Sequence, residues 1–223
     1  MLVLVACEYS GRVRDAFAAK GHFAMSCDLL PSESPGHHYQ GDVIDLLDLG
    51  WDLMICHPPC TYMAVSGMHW TTRGIRDPQL TEDALAFVKM LLDSPIPRIC
   101  LENPVSIISS RIRKPDQIIH PWQFGDDASK KTCLWLKGLN PLRVTTPLAG
   151  RYGCKCGHRF EESLGKYGCP NCCGGSGPAK IVYSNQTPSG QNNLGPSSDR
   201  WKKRSVTYRG IANAMADQWG STC

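Results

Sequence analysis

The chain has 223 residues, of which 42% are hydrophobic, enough for one buried core with room for a small insertion. Its formal charge of +4 permits contact with a polyanion without requiring it. No run of about 18 apolar residues occurs, which excludes a membrane-spanning helix. The apolar start, Met1-Leu2-Val3-Leu4-Val5, has no basic residues and no cleavage site, so it reads as a strand, and a cytoplasmic protein is expected.

Residues 2–7 read as a first strand. The turn Ala6-Cys7-Glu8-Tyr9-Ser10-Gly11 leads into a helix from Gly11 to Lys20, with Val13, Ala16 and Phe17 at helical spacing and Gly21 closing it. A turn with one Gly and one Ser is a poor phosphate cradle, but it suits a nucleoside cofactor that places no phosphate there. Cys7, Glu8, Tyr9, Ser10 and Gly11 are thus candidate cofactor contacts. A second strand, residues 22–27, ends at Asp28-Leu29. An acid there can accept hydrogen bonds from ribose hydroxyls. A polar loop, Pro31 to Gln40, leads to Gly41-Asp42-Val43, where Asp42 can hold an adenine amino group. Either acid alone reads as well as a cap or a solvated charge. At successive strand ends they favour a cofactor such as S-adenosylmethionine.

Trp51 to Cys56 is a short buried strand that His57-Pro58-Pro59 stops and stiffens. Cys60 follows, a thiol on a rigid turn at a strand's C-terminal end, where open α/β sheets bind their ligands. The loop Met68 to Pro78 carries His69, Trp70, Arg73 and Arg76, and its arginines suit phosphates. Thr81-Glu82-Asp83 then caps a helix running to about Leu92, striped by Ala84, Leu85, Val88, Leu91 and Leu92. Residues 98–102 form a strand that Pro104 ends and that presents Glu102. A thiol and a carboxyl on neighbouring strand ends suit covalent chemistry with proton assistance. Lys131 to Leu136 reads as a further strand, and Gly210 to Trp219 as a closing helix with Ile211, Ala214, Met215 and Trp219 on one face. Strands alternating with helices predict an α/β fold with a parallel, Rossmann-like sheet.

The texture changes after about residue 140, where Gly, Pro, Ser and Asn accumulate. Three regions are expected: a catalytic domain over 1–140, an insertion over 141–204, and a returning helix over 205–223. Five of the twelve cysteines crowd into the insertion, within Cys154-Lys155-Cys156-Gly157-His158 and Cys169-Pro170-Asn171-Cys172-Cys173. Two knuckles at this spacing predict a structural zinc ribbon ligated by Cys154, Cys156, Cys169 and Cys172. The first knuckle is C-x-C, so His158 or Cys173 is an alternative for one ligand. Cys7, Cys27, Cys56, Cys100 and Cys133 lie in apolar runs and read as small buried hydrophobes.

The order of these motifs resembles that of DNA cytosine-5 methyltransferases, above all the short, divergent phage-encoded type. Pro59-Cys60 matches the family's proline-cysteine motif, and Ser66-Gly67 its downstream serine and glycine. Glu102-Asn103-Pro104 stands for its Glu-Asn-Val, and Arg209-Gly210-Ile211-Ala212-Asn213-Ala214 for its last motif, with Ala212 replacing a glycine. The likeness covers most of residues 1–136 and 205–219. It implies a Rossmann-like S-adenosylmethionine-dependent methyltransferase sheet and transfer of a methyl group to carbon 5 of cytosine in DNA, on a base flipped from the duplex. Cys60 would be the nucleophile and Glu102 the partner of the base's N3. Lys130 would take the first place of the family's Arg-x-Arg motif, whose second place holds Thr132. Leu29, Val43, Pro58 and Asn213 would join the cofactor contacts. The first glycine-rich motif is degenerate here.

The family's target-recognition region falls on the ribbon and on the stretch Asn185 to Arg204. Arg200, Lys202 and Lys203, beside Trp201, join Arg73, Arg76, Arg111 and Arg113 as candidate DNA contacts. DNA is the expected partner of a monomer with no protein partner. Three alternatives remain at this stage: an amino-methyltransferase, whose Pro-Pro turn His57-Pro58-Pro59-Cys60 misses at both ends; the same chemistry on a free nucleotide or with a modified donor; and a zinc-ribbon DNA-binding protein without catalysis.

Overall fold

The computed structural model describes residues 1–154, 156, 158–160, 169, 180–187 and 190–221. They form two compact units. The first is Met1–Ile119, Lys131–Arg143 and Ala212–Cys223; the second is His120–Lys130 and Val144–Ile211. No helix among the described residues is long and apolar enough to cross a membrane.

The first unit is built on a seven-stranded sheet. In chain order its strands are β1 (Leu2–Ala6), β2 (Phe23–Asp28), β3 (His38–Gln40), β4 (Leu53–Cys56), β5 (Ile99–Pro104), β6 (Gln117–Ile119) and β7 (Thr132–Lys137). Their spatial order is β3-β2-β1-β4-β5-β7-β6. Strands β3 to β5 pair in parallel, and β7 runs antiparallel to both its neighbours. The expected α/β class and Rossmann-like sheet are therefore present, with one reversed strand. The sequence explains the parallel centre. β4, Leu53-Met54-Ile55-Cys56, is apolar at every position and fully buried, as a strand covered on both faces must be. β3 and β6 are three residues long, too short to show a period, and sequence reading missed both.

The helices are α1 (Arg12–Ala18), α2 (Met68–Thr72), α3 (Gln79–Asp93) and α4 (Ile108–Arg111). The stripe of α3 buries Leu85, Val88 and Leu91 against a core that includes Leu4, Met54, Ile99, Leu101 and Trp135. The helix starts two residues before the expected cap. Pro78 is at the N-cap, Asp77 Oδ1 just before it accepts from Gln79 N at 2.9 Å, and Thr81 Oγ1 donates to Tyr62 O at 3.2 Å. Thr81 thus fastens the loop after Cys60 rather than opening the helix.

The second unit holds a three-stranded antiparallel sheet of β8 (Arg151–Gly153), β9 (Arg159–Phe160) and β10 (Lys180–Val182), ordered β10-β8-β9. It also holds α5 (Arg200–Ser205). Asp127 accepts from Ser184 N at 3.0 Å and pairs with Arg151. Burial alone would raise the Asp127 carboxyl, but these hydrogen bonds and the guanidinium outweigh it and hold the group below the usual carboxylate range. The last helix, α6 (Arg209–Trp219), begins in this unit, and its residues from Ala212 belong to the first. Gly210 is required by close approach, because a Cβ there would lie 1.9 Å from Phe124 O. In the first unit Trp219 is buried, and its Nε1 donates to Asn140 O at 2.9 Å.

Candidate active site

The chain leaves β1 toward β2 on one side, and β4 lies on the other. This reversal is the switch point at which open α/β sheets bind ligands, outside the C-terminal ends of the strands. Register aligns those ends. Ala6 is opposite both Cys27 and Cys56, and Cys56 is opposite Leu101. One residue beyond, Cys7 takes a left-handed conformation with φ 58°, uncommon for a residue with a side chain. His57 N donates to Ala6 O at 2.9 Å, so the turns after β1 and β4 begin side by side.

Two prolines carry the chain from His57 to Cys60, whose carbonyl accepts from Met63 N at 3.0 Å and Ala64 N at 2.8 Å. The segment beyond is laced to the one that follows Glu102. Val65 N donates to Val105 O at 3.2 Å, Ile107 N donates to Met63 O at 3.0 Å, and Ala64 bridges Ser106. Buried Asn103 adds a third tie, from its Nδ2 to Pro58 O at 2.9 Å. The half-buried Cys60, on the turn after β4, and the 8%-exposed Glu102, within β5 opposite Leu134, are therefore carried by segments that hold each other.

Glu102 Oε2 lies 3.0 Å from His57 Nδ1, with both side chains nearly buried. Among the described residues, His57 Nε2, Asn103 Oδ1 and Ser106 Oγ are buried with no hydrogen-bond partner. Each such atom costs about 1–3 kcal/mol if nothing meets it. Three of them on the loops around one carboxyl fit a site that meets a polar ligand. Neither His57 nor Asn103 was singled out as a functional residue from sequence. The available signal was their place, each beside a strand-end candidate.

The neighbouring thiols are suited to packing rather than reaction. Burial, then Cys7, Cys100 and Glu102, push the Cys56 thiol well up; burial, then Glu102 and Asp116, do the same for Cys100. Burial and Asp28 raise Cys7 and Cys27, the latter to about 12. Burial, then the Glu102 charge, raises Cys133.

The predicted cofactor residues of the first 60 positions lie at or after the C-terminal ends of β1, β2, β3 and β4. Glu8 is occupied as the cap of α1, accepting from Val13 N at 2.8 Å, Arg14 N at 3.2 Å and Ser10 Oγ at 3.2 Å. Tyr9 is buried, and Gly11, at φ 71°, leaves room for the buried Arg14 guanidinium, which binds Ser34 Oγ at 2.6 Å. Asp28 ends β2 opposite Gln40 of β3 and accepts from Leu30 N at 2.9 Å; Leu29 beside it is 73% exposed. Asp42 accepts from Ile44 N at 3.0 Å, and Val43 is buried. Each acid keeps one carboxylate oxygen outside these turn bonds. Asn213 is exposed on α6. Lys130 belongs to the second unit, where its Nζ donates to Arg204 O at 3.2 Å. Thr132 is buried in β7, in register with Pro104.

Several predicted DNA contacts have protein partners. Arg76 donates to Thr61 O at 2.9 Å and lies over the Tyr62 ring, 5.6 Å from its centroid. Arg111 pairs with Glu82 at 2.8 Å, and Arg113 with Asp116 at 2.5 Å. Arg73 is exposed where α2 ends. A groove of about 220 Å³, lined by Met68, Thr71, Thr81, Glu82, Ile107 and Arg111, lies among α2, α3 and α4. On α5, Lys203 pairs with Asp199 at 2.8 Å, and Trp201 is 54% exposed. Arg200 is half-buried, and Lys202 shares this helix.

In the second unit the sulfurs of Cys154, Cys156 and Cys169 all lie within 4.8 Å of one another, with Cys156 and Cys169 3.5 Å apart. Thiolates at about 2.3 Å from a tetrahedral zinc ion stand about 3.8 Å apart, so this donor set fits zinc. Cys154 N donates to His158 O at 3.0 Å, closing the first knuckle between β8 and β9. The His158 ring stacks on Phe160, with centroids 5.9 Å apart, and its nitrogens are outside the sulfur cluster. Cys172 and Cys173 lie outside the described residues.

No protein-family model matches the chain, and no curated protein matches it. Among solved structures, the Entamoeba histolytica methyltransferase EhMeth is similar at 14% identity and a TM-score of 0.46, over 67% of this chain and 58% of that one. A proposed DNA modification methyltransferase encoded within an E. coli prophage is similar at 13% identity and a TM-score of 0.41, over 98% of this chain and 69% of that one. The chain thus spans 58% of the length of EhMeth. Both of these structural neighbours are methyltransferases, and the likeness is too distant to carry an argument about chemistry, which has to come from the site itself.

Proposed function

We propose that this protein transfers a methyl group from S-adenosylmethionine to carbon 5 of cytosine in DNA, through a covalent bond to Cys60. The observation that supports this reading is the lacing of the segment after Cys60 to the segment after β5, which carries Glu102, by Val65 N to Val105 O and Ile107 N to Met63 O. It keeps a nucleophile and a buried proton donor on adjacent strand ends, in the context that the motif order anticipates.

Carbon 5 of cytosine is a weak nucleophile until a thiolate adds to carbon 6. Cys60 Sγ forms that bond as Glu102 gives a proton to N3, and the ring's displaced electron pair is then available at carbon 5. S-adenosylmethionine, bound with its nucleoside at Asp28 and Asp42, would supply the electrophilic methyl group to carbon 5, the C–S bond breaking with its electron pair going to the departing thioether. A solvent base takes the carbon-5 proton, Cys60 leaves as thiolate, and N3 returns its proton to Glu102. Proton transfer of this kind contributes about 10²–10⁴-fold. Attack on the ring's face requires a flipped base, and Arg73 is suited to a phosphate beside it. In the second unit, Cys154, Cys156 and Cys169, with Cys172 as the fourth ligand, would hold a zinc ion that gives structure to the ribbon, and the basic side chains of α5 would meet DNA phosphates.

Intact mass after incubation with S-adenosylmethionine and DNA containing 5-fluorocytosine tests the reading, because fluorine cannot leave as a proton does. A protein–DNA adduct carrying the added methyl, absent in Cys60→Ser, is expected. Methylation of ordinary DNA that survives Cys60→Ser would overturn it in favour of amino-methylation.

A further inference from the structure

His57 meets the Glu102 carboxyl directly. The two side chains are 8% and 10% exposed, and Nδ1 stands 3.0 Å from Oε2. Releasing a proton in so buried a place is costly unless a donor meets the new charge. The imidazole has one nitrogen on the carboxyl and the other, Nε2, buried without a partner among the described residues. A histidine packed only for structure would have its second nitrogen satisfied by the fold. His57 N is also bonded to Ala6 O, and two prolines follow it, so the ring is anchored on a rigid backbone.

Resting on the carbon-5 reading above, we propose that His57 is the positioning residue of Glu102, holding one carboxyl oxygen so that the other faces N3 of the base and stabilising the carboxylate when its proton moves to N3. In the Nδ1–H tautomer, the imidazole donates to Oε2 while the acid proton resides on Oε1. That proton passes to N3 as the thiolate adds, and the Nδ1–H bond strengthens against the new negative charge. The proton returns to Oε1 when Cys60 departs, so the pair ends as it began. The other titratable groups facing Glu102 are Cys56 on β4, Cys100 on its own strand and Cys133 on β7, all thiols whose ionisation is disfavoured. They stay protonated near neutral pH.

The test measures methyl transfer from S-adenosylmethionine to unmethylated DNA across pH 5–9 for wild type, His57→Ala and His57→Asn. Asparagine places an amide donor near the position of Nδ1. His57→Ala is expected to lower kcat roughly 10- to 100-fold, with KM for DNA changed less than about twofold, and to displace the acid limb of the profile. His57→Asn should recover most of the lost kcat. Activity of His57→Ala within about twofold of wild type, or equal loss in both variants with the profile unmoved, would overturn the proposal. Nitrogen-15 imidazole spectra separate this result from failure of the functional reading. The His57 Nδ1 resonance should shift in Glu102→Gln whether or not the protein methylates cytosine, and a resonance indifferent to that change overturns the pairing itself. A wild-type protein that methylates no cytosine sinks the carbon-5 reading instead.

Discussion

Asn103 Nδ2 donates to the carbonyl of Pro58 at 2.9 Å, joining the end of β5 to the turn that delivers Cys60. A proline pair cannot donate backbone hydrogen bonds, so this turn depends on what is donated to it. Asn103→Ala removes the tie and leaves Pro58 O buried without it. Loss of about 1–3 kcal/mol in urea unfolding is expected, together with slower adduct formation on 5-fluorocytosine DNA. Unchanged adduct kinetics would show that Pro58 is held by other means.

The cysteines should separate by accessibility and thiolate character. Brief alkylation of the native protein with iodoacetamide, mapped by peptide mass, should label Cys60 well before Cys27, Cys56 and Cys100. Burial keeps those three thiols raised, whereas Cys60 is half-buried on its turn. Early labelling of Cys56 would contradict its place in the core.

Two paired carboxylates contribute to the acid sensitivity of the fold. Asp116 is lowered because its bonds from Leu136 N and Arg113 outweigh burial, and Asp127 is lowered likewise by Ser184 and Arg151. A carboxyl depressed in the folded state contributes stability above its unfolded pKa of about 3.9 and loses it as pH falls through the folded value. Both side chains are more than a third exposed, so solvent screening keeps each effect small. Urea midpoints at pH 7 and pH 3 should converge in Asp116→Asn and Asp127→Asn relative to wild type. A pH dependence equal to that of wild type would rule these groups out.

Removal of metal should affect the second unit selectively. One zinc per chain is expected by elemental analysis, and chelation should raise amide exchange across Arg151–Phe160 while leaving β1, β4 and β5 protected. Cys156→Ser should lower zinc content without altering the seven-stranded sheet. Full retention of zinc in that variant would place the ion elsewhere.

Core packing offers a calibration. Leu91 is fully buried where α3 meets the sheet, so Leu91→Ala should cost about 2–5 kcal/mol in chemical denaturation.

Much of the layout was legible in the chain itself. Continuous apolar runs, with proline or glycine close behind β4 and β7, located β1, β4, β5 and β7, because a strand buried on both faces needs no polar alternation. The same punctuation put Cys60 and Glu102 at strand ends, and the knuckle spacing anticipated the cluster of Cys154, Cys156 and Cys169. What a linear pattern carries poorly is pairing over long separations. Nothing local distinguishes Glu82 as the partner of Arg111, or Asp116 as that of Arg113, from a solvated acid, so arginines read as phosphate contacts have protein partners instead.

The sequence by itself determined where the apolar strands β1, β4, β5 and β7 run and which reactive side chains stand near their C-terminal ends, because burial period and backbone-restricting residues are local properties. Only the tertiary structure decided what those side chains meet. Strand order set β4 between β1 and β5, placing His57 against Glu102 across 45 residues of chain and Asn103 against Pro58. Such contacts follow from register and packing of the whole sheet, which determine neighbours that no short stretch of residues specifies.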